Sequence, residues 1–413
     1  MLGSVFQLAG RSLLSRWSSV FLSIIAVAVS VALFSAVEKI RTNARASFES
    51  TISGVDAIVG GRTGPVNLLL FSVFRIGDAT SQMSWQSVNA VERRPDVEWV
   101  IPISLGDSHK GYRVLGTTQT YFSKMRYGQQ QSLSFSSGTA FSNHSDGVVV
   151  GSEVAKKLNY SVNDKIVVSH GTGEVSFHNH DAHPLVIVGV LNPTGTPIDR
   201  TVHVSLNTIS RIHQSNKHHP EDHHDHFEAP SHVTAIFVGL KSRAGAPRFV
   251  REVNTYPKEP LTGIRPALTL SDLWQVIGVV ENILSVISSF VITVGIVTIL
   301  ISIMTSLNAR RREMAILRAV GARAFHIITL IVSEAAIISI IGSTLGIVIV
   351  QAGLAVATPF LSHQFGVMLS PTPPDLLDLA IISIVTAIAC LLSFWPAYRA
   401  LRTALSDGLS VSV

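Results

Sequence analysis

Four stretches of the chain, at about 18–37, 277–307, 326–357 and 376–398, are apolar with hardly a charge among them. Each reaches the roughly 20 residues that a helix needs to cross about 30 Å of hydrocarbon, so each predicts a membrane span. The first follows Arg11 and Arg16 as a secretory signal would, but its apolar run is about twice the length of a signal core and no convincing cleavage site follows. It is read as a retained anchor.

Composition supports the pattern. The chain has 413 residues, 47% of them hydrophobic and only 14% charged, which is too apolar for a soluble protein of several domains. The net charge of +5 is modest, and the basic residues lie beside apolar runs without interleaved aromatics, which excludes a nucleic-acid surface. The lone cysteine, Cys390, sits in an apolar run and has no partner for an intrachain disulfide.

Charge then sets orientation. Arg11 and Arg16 precede the first span, five arginines lie between the second and third, and Arg399 and Arg402 follow the fourth, whereas the loop 358–375 has no Lys or Arg. Basic residues in short loops stay on the cytoplasmic side. Residues 1–17, 308–325 and 399–413 are therefore expected in the cytoplasm, and 38–270 outside, inserted between the first two spans.

The five arginines, Arg310, Arg311, Arg312, Arg318 and Arg323, belong to the stretch NARRREMAILRAVGAR. Met314, Ala315, Ile316, Leu317 and Val320 recur there at helical spacing, most arginines fall elsewhere, and Gly321 is a plausible stop, so a short amphipathic helix is predicted. One reading is an anchor on anionic lipid headgroups.

The stretch RRREMAILRAVGARAFHIITLIVSEAAIISIIGSTLGIVI resembles the core of FtsX-like and MacB-like permeases, the membrane subunits of type VII ABC systems. The shared features are the basic run, Glu313, AILRAVGA, Glu334, and Gly342 and Gly346; the likeness covers about the last 140 residues well. It implies that Arg310, Arg311, Arg312, Glu313, Ile316, Leu317, Arg318 and Gly321 couple the permease to a nucleotide-binding subunit. GVVVGSEVAKKLNYSVNDKIVVSHG resembles the family's extracytoplasmic domain more loosely, with a strand, a helix over Glu153–Leu158, a turn near Asn163–Asp164 and another strand. HPLVIVGVLNPTGTPIDRTVHVSL continues it with a strand at 185–191, a Pro/Gly turn and a further strand. DAIVGGRTGPVNLLLFSVFRIG is similar to that domain's opening. The expected fold is four transmembrane helices with an α+β extracytoplasmic domain between helices 1 and 2.

The apolar pattern of the second span runs back through Trp274 to Ser271 or Asp272, a credible N-cap, which gives a helix on the order of 55 Å at about 1.5 Å per residue. That exceeds the membrane. Either the helix continues outward as a stalk over 271–307, which the resemblance to mechanotransmitting permeases implies, or an amphipathic helix lies on the outer leaflet and joins a normal span through a bend.

No G-x-x-x-x-G-K-[ST] loop occurs, so ATP and Mg are expected on a separate P-loop ATPase, in two copies, and this chain is expected to be a non-catalytic subunit. The other expected partners are a second permease copy or a related permease, a periplasmic protein and membrane lipid. The expected location is a bacterial inner membrane.

Two carboxylates fall inside spans, Glu281 toward the outer end of the second and Glu334 in the cytoplasmic half of the third. Charge at that depth faces protein or water. A substrate or proton site and an inter-helix hydrogen bond both fit. Gly342 and Gly346 form G-x-x-x-G, a spacing that permits close helix packing.

Histidine departs from a generic permease. The stretch 213–232 holds His213, His218, His219, His223, His224, His226 and His232 among four carboxylates, and SFHNHDAHP adds His178, His180 and His183. Imidazole with carboxylate suits zinc and similar ions. The alternative is a solvated polar insertion, or one that titrates near neutral pH. A catalytic zinc is disfavoured because H-E-x-x-H is absent.

Three classes of function follow: an ATP-driven permease or mechanotransmitter, with or without a role in zinc handling; a membrane metal sensor; and a membrane-bound hydrolase.

Overall fold

In the computed structural model the described residues are 17–51, 53–143, 146–170, 184–215, 230–309, 323–365 and 375–406. Helix α1 spans Trp17–Thr51. It runs past the apolar stretch because nothing in EKIRTNARASFEST breaks a helix; the next glycine, Gly54, takes a left-handed φ of 81° just beyond it.

Strands and short helices follow in alternation: β1 (Ala57–Gly61), α2 (Pro65–Leu69) with a π-helical turn at Leu70–Phe74, β2 (Met83–Ser84), α3 (Trp85–Glu92), β3 (Val97–His109) and β4 (Tyr112–Thr117). Then come α4 (Thr120–Lys124), β5 (Arg126–Tyr127), β6 (Gln131–Ser132), β7 (Phe135–Gly138), β8 (Gly147–Val150), α5 (Ser152–Leu158), β9 (Lys165–Ile166) and β10 (Ser169–His170). The series closes with β11 (Leu185–Leu191), β12 (Thr201–Ser205), α6 (Leu206–Ser215), β13 (His232–Val233), β14 (Ala235–Leu240), α7 (Ala246–Asn254) and β15 (Leu261–Ile264).

One mixed sheet organises this α/β unit, in the order β15-β1-β14-β3-β4-β12-β8-β11-β7. The β12–β4 and β11–β8 pairs are parallel, and β1, β14 and β15 pair antiparallel in one half. Strands β1, β8, β12, β14 and β15 are buried at every position, which is why GVVV and AIFVGL read as unbroken apolar runs. The two-residue period still assigns faces. Ile58, Val149 and Phe237 enter one core with Leu68, Phe71, Tyr121 and Phe122, whereas Ala57, Val59, Val148 and Val150 enter cores on the other face, beneath α3, α5, α6 and α7. The strand, helix and turn expected around Glu153–Leu158 are β8, α5 and a turn with Asn163 at φ 79°.

Helix α8 spans Pro266–Ala309, α9 Ala324–Phe365 and α10 Leu376–Ser406. Ser271 and Asp272 do not cap α8. The helix starts at Pro266, whose missing N–H and preset φ suit a first helical position, and the Arg265 carbonyl accepts from the N–H groups of Leu268 and Thr269. Leu270, Leu273 and Trp274 then pack on the α/β core, so the amphipathic start of this helix covers protein. All 44 residues of Pro266–Ala309 are helical, a path of about 66 Å at 1.5 Å per residue.

Helices α1, α8, α9 and α10 are each long and apolar enough to cross a membrane. Their inward faces meet through Val27, Val31, Ile299, Ile303, Ile331, Ile338 and Val385. Phe21, Phe290, Val348 and Leu391 are among the large apolar side chains left exposed, as lipid-facing positions are.

Candidate functional site

Within the helical unit, the small residues set how closely α1 can be approached. A methyl group on Gly342 of α9 would come within 2.8 Å of Val27 Cβ, and one on Gly346 within 2.5 Å of the Ala28 carbonyl oxygen. A third glycine, Gly295 of α8, stands against Ser30, 2.8 Å from its Oγ to the same hypothetical methyl. Two helices therefore approach the α1 backbone, the arrangement that small residues allow where lipid offers no hydrophobic drive.

Charge collects within the helical unit where α1 meets α8 and α10. Lys39 Nζ lies 2.8 Å from Asp378 Oδ2, with side chains 11% and 2% exposed. Ser35 Oγ donates to the other carboxylate oxygen at 3.4 Å, and the backbone N–H of Asp375 donates back to Asp378 at 3.2 Å. Asp378 thus makes one half of a capping box at the start of α10, Asp375 Oδ1 accepts from the Leu376 N–H, and Asp378 also neutralises the lysine. Glu281 faces Arg41 at 4.0 Å, and Arg41 also pairs with Glu38 one turn away. Glu334 is buried in α9 within the helical unit.

The remaining sites expected from the sequence lie outside the described residues: Arg310, Arg311, Arg312, Glu313, Ile316, Leu317, Arg318 and Gly321, and His178, His180, His183, His218, His219, His223, His224 and His226. His213 is on α6, but its side chain is also outside them. Among the described residues no group of three or more His, Cys, Asp or Glu is placed to hold a metal ion.

Two histidines that the sequence reading did not single out are in the α/β core. His109 Nδ1 is 2.6 Å from the Val167 carbonyl and Nε2 2.9 Å from the Tyr160 hydroxyl, so both nitrogens are engaged; burial lowers its pKa. His203 is fully buried against the rings of Tyr121 and Phe122, and burial, aided by the charge of Arg75, pushes its pKa down to about 3. Sequence spacing carries no signal for either, because each sits in an ordinary alternating strand.

Four apolar helices with an α/β domain inserted after the first define a multi-pass membrane protein with a large extramembrane domain. Residues 20–256 match the model of the MacB-like periplasmic core domain and residues 285–405 that of the FtsX-like permease C-terminal region. The chain belongs to the FtsX/MacB-like family of ABC permeases. It is 22% identical over 185 residues to the macrolide export ATP-binding/permease protein MacB of Syntrophobacter fumaroxidans, a stretch covering 42% of this chain and 25% of that protein, so it spans about a quarter of that relative. Among solved structures, the periplasmic region of MacB from Actinobacillus actinomycetemcomitans aligns at 12% identity and a TM-score of 0.34, covering 54% of this chain and 94% of that one. The extracellular domain of the noncanonic ABC-type transporter YknZ from Gram-positive bacteria aligns at 12% identity and a TM-score of 0.31, over 51% and 98%.

Proposed function

We propose that this chain is the non-catalytic membrane subunit of an ATP-driven transporter or mechanotransmission complex, working in a bacterial inner membrane with both termini cytoplasmic. The observation that carries the reading is the match of residues 285–405 to the FtsX-like permease region, which takes in the arginine segment 310–321. In this reading the segment docks on a separate cytoplasmic P-loop ATPase, two copies of which serve two permease copies. Helix α8, which holds residues of both units, is in this reading the lever that carries movement between motor and exterior domain. Gentle extraction from the native host followed by affinity capture should bring down a P-loop ATPase. Repeated recovery without one would overturn the assignment.

We further propose that the histidine-rich stretches handle divalent metal, zinc in the first instance, alongside a periplasmic partner. Their support is composition: ten histidines across 178–183 and 213–232 in a domain of the periplasmic type. Deleting residues 216–228 leaves α6 and β13 whole. The full-length chain in nanodiscs should bind zinc at micromolar or tighter affinity and lose that binding on deletion. A membrane metal sensor is the second reading that the same stretch favours, and it predicts zinc binding without an ATPase partner. Absence of zinc binding would leave the permease reading standing alone.

A further inference from the structure

The turn after Leu70–Phe74 is built on an arginine in an unusual state. Arg75 has φ 61° and ψ 24°, a left-handed conformation that side-chain-bearing residues seldom adopt. Its Nη1 donates to the Ser72 carbonyl, while its Nε is out of contact with water and has no hydrogen-bond acceptor. Burial lowers its pKa, the Tyr121 hydroxyl offsets part of that, and among the described residues no carboxylate does. The surroundings add no negative charge. Tyr121 is fully buried with its hydroxyl toward the Arg75 side chain and its pKa raised by burial, His203 is neutral, and Arg113 is a like charge. Arg75 is half-buried, and its enclosed Nε is a donor that a bound acceptor would satisfy.

A cavity of about 340 Å³ opens beside it, walled by Arg75, Arg113, Asp78, Phe71 and Leu105 and by the backbone at Gly106. Arg113 donates to Asp78 at 2.8 Å and to the Gly77 carbonyl at 3.0 Å. Asp78 is 70% exposed, so water screens its charge, and the lining keeps an excess of one positive charge. The cavity's size is at the small end of ligand pockets. It is part guanidinium and part apolar wall.

We infer that this cavity binds a small organic anion, its carboxylate or phosphate head on the guanidinium groups of Arg75 and Arg113 and its apolar body against Phe71 and Leu105. Such an anion supplies the missing acceptors in bidentate geometry, while an aromatic or short aliphatic body fills the remaining volume. The site lies wholly in the α/β unit and rests neither on ATPase coupling nor on metal.

The test uses the full-length chain in nanodiscs and ligand-observed NMR with three probes of one size: benzoate, phenyl phosphate and the neutral benzamide. At least one anion should bind saturably and at least tenfold more tightly than benzamide; whichever anion is tighter identifies the head group. Arg113→Gln should weaken that binding at least tenfold, and Arg75→Gln more. Because Arg75→Gln perturbs a buried turn, Ala79→Trp, which fills the cavity from its rim, provides the second variant and should abolish binding with both arginines in place. No saturable anion binding up to millimolar concentration, benzamide binding as tightly as the anions, or undiminished binding by Arg113→Gln would each overturn the inference.

Discussion

The Lys39–Asp378 pair makes an unequal double-mutant cycle. Asp378→Leu leaves a nearly buried ammonium without its 2.8 Å acceptor and removes the side chain that takes the Asp375 N–H at the start of α10. Lys39→Met leaves a carboxylate that keeps the Ser35 hydroxyl and the Asp375 N–H. Removing one partner of a buried pair costs about 3–5 kcal/mol, and losing a helix cap about 1 kcal/mol more. Lys39→Met is therefore expected near the lower end, about 3 kcal/mol, and Asp378→Leu about 4–6 kcal/mol. Replacing both by apolar side chains removes the uncompensated charge, and the double variant should be destabilised chiefly by the lost cap, giving a coupling of at least about 2 kcal/mol. Equilibrium unfolding of the full chain in mixed micelles, followed by helical circular dichroism, measures all four corners. Single effects that add to within about 0.5 kcal/mol would refute the claim that the two side chains stabilise the bundle as a pair.

Other outcomes follow from single sites. Gly346→Val places side-chain atoms where the Ala28 carbonyl stands, 2.5 Å from the Cβ position, and should destabilise the helical unit by about 1–3 kcal/mol, with Gly342→Val comparable, read in the same unfolding experiment. His203 titrates at about 3 in the fold and near 6.5 when unfolded, so the unfolded chain takes up the proton first and stability falls as pH drops from about 6.5 toward 3. His203→Phe should flatten that decline by up to about 1.4 kcal/mol per pH unit, with His109 leaving a residual slope of the same sign; an unchanged slope would mean that His203 charges inside the fold. Replacing Arg311, Arg312 and Glu313 together with Ala should leave insertion intact and lower stimulation of the partner ATPase by at least tenfold; stimulation at the original level would return these charges to a lipid-anchoring role.

Several packing and charged positions were legible from spacing, and their partners were not. Gly342 and Gly346 announce close packing by their four-residue interval, yet that the packed surface is α1 at Val27 and Ala28 depends on the folding back of α9. Gly295 has no matching glycine, so its contact with Ser30 left no pattern to read. Glu281 stands out as a carboxylate in an apolar run, but Arg41, its counter-charge, lies on another helix. Lys39 and Asp378 are 339 positions apart and each reads as the polar edge of a span. Arg75, Tyr121 and His203 come from a turn, a short helix and a strand, and each is unremarkable in its own neighbourhood.

Composition and periodicity along the chain were enough for the four spans, the insertion of an α+β domain after the first and the expected side of the arginine segment. Transfer of apolar residues into lipid, the periodicity of helix and strand and the retention of basic loops are local sums over neighbouring residues. Where α8 begins, which helices clasp α1, which charges neutralise one another and which guanidinium has no carboxylate beside it among the described residues are outcomes of packing. Those outcomes depend on distances between residues remote in the chain, and a buried charge or an absent Cβ acquires its energy only from the atoms that packing brings against it.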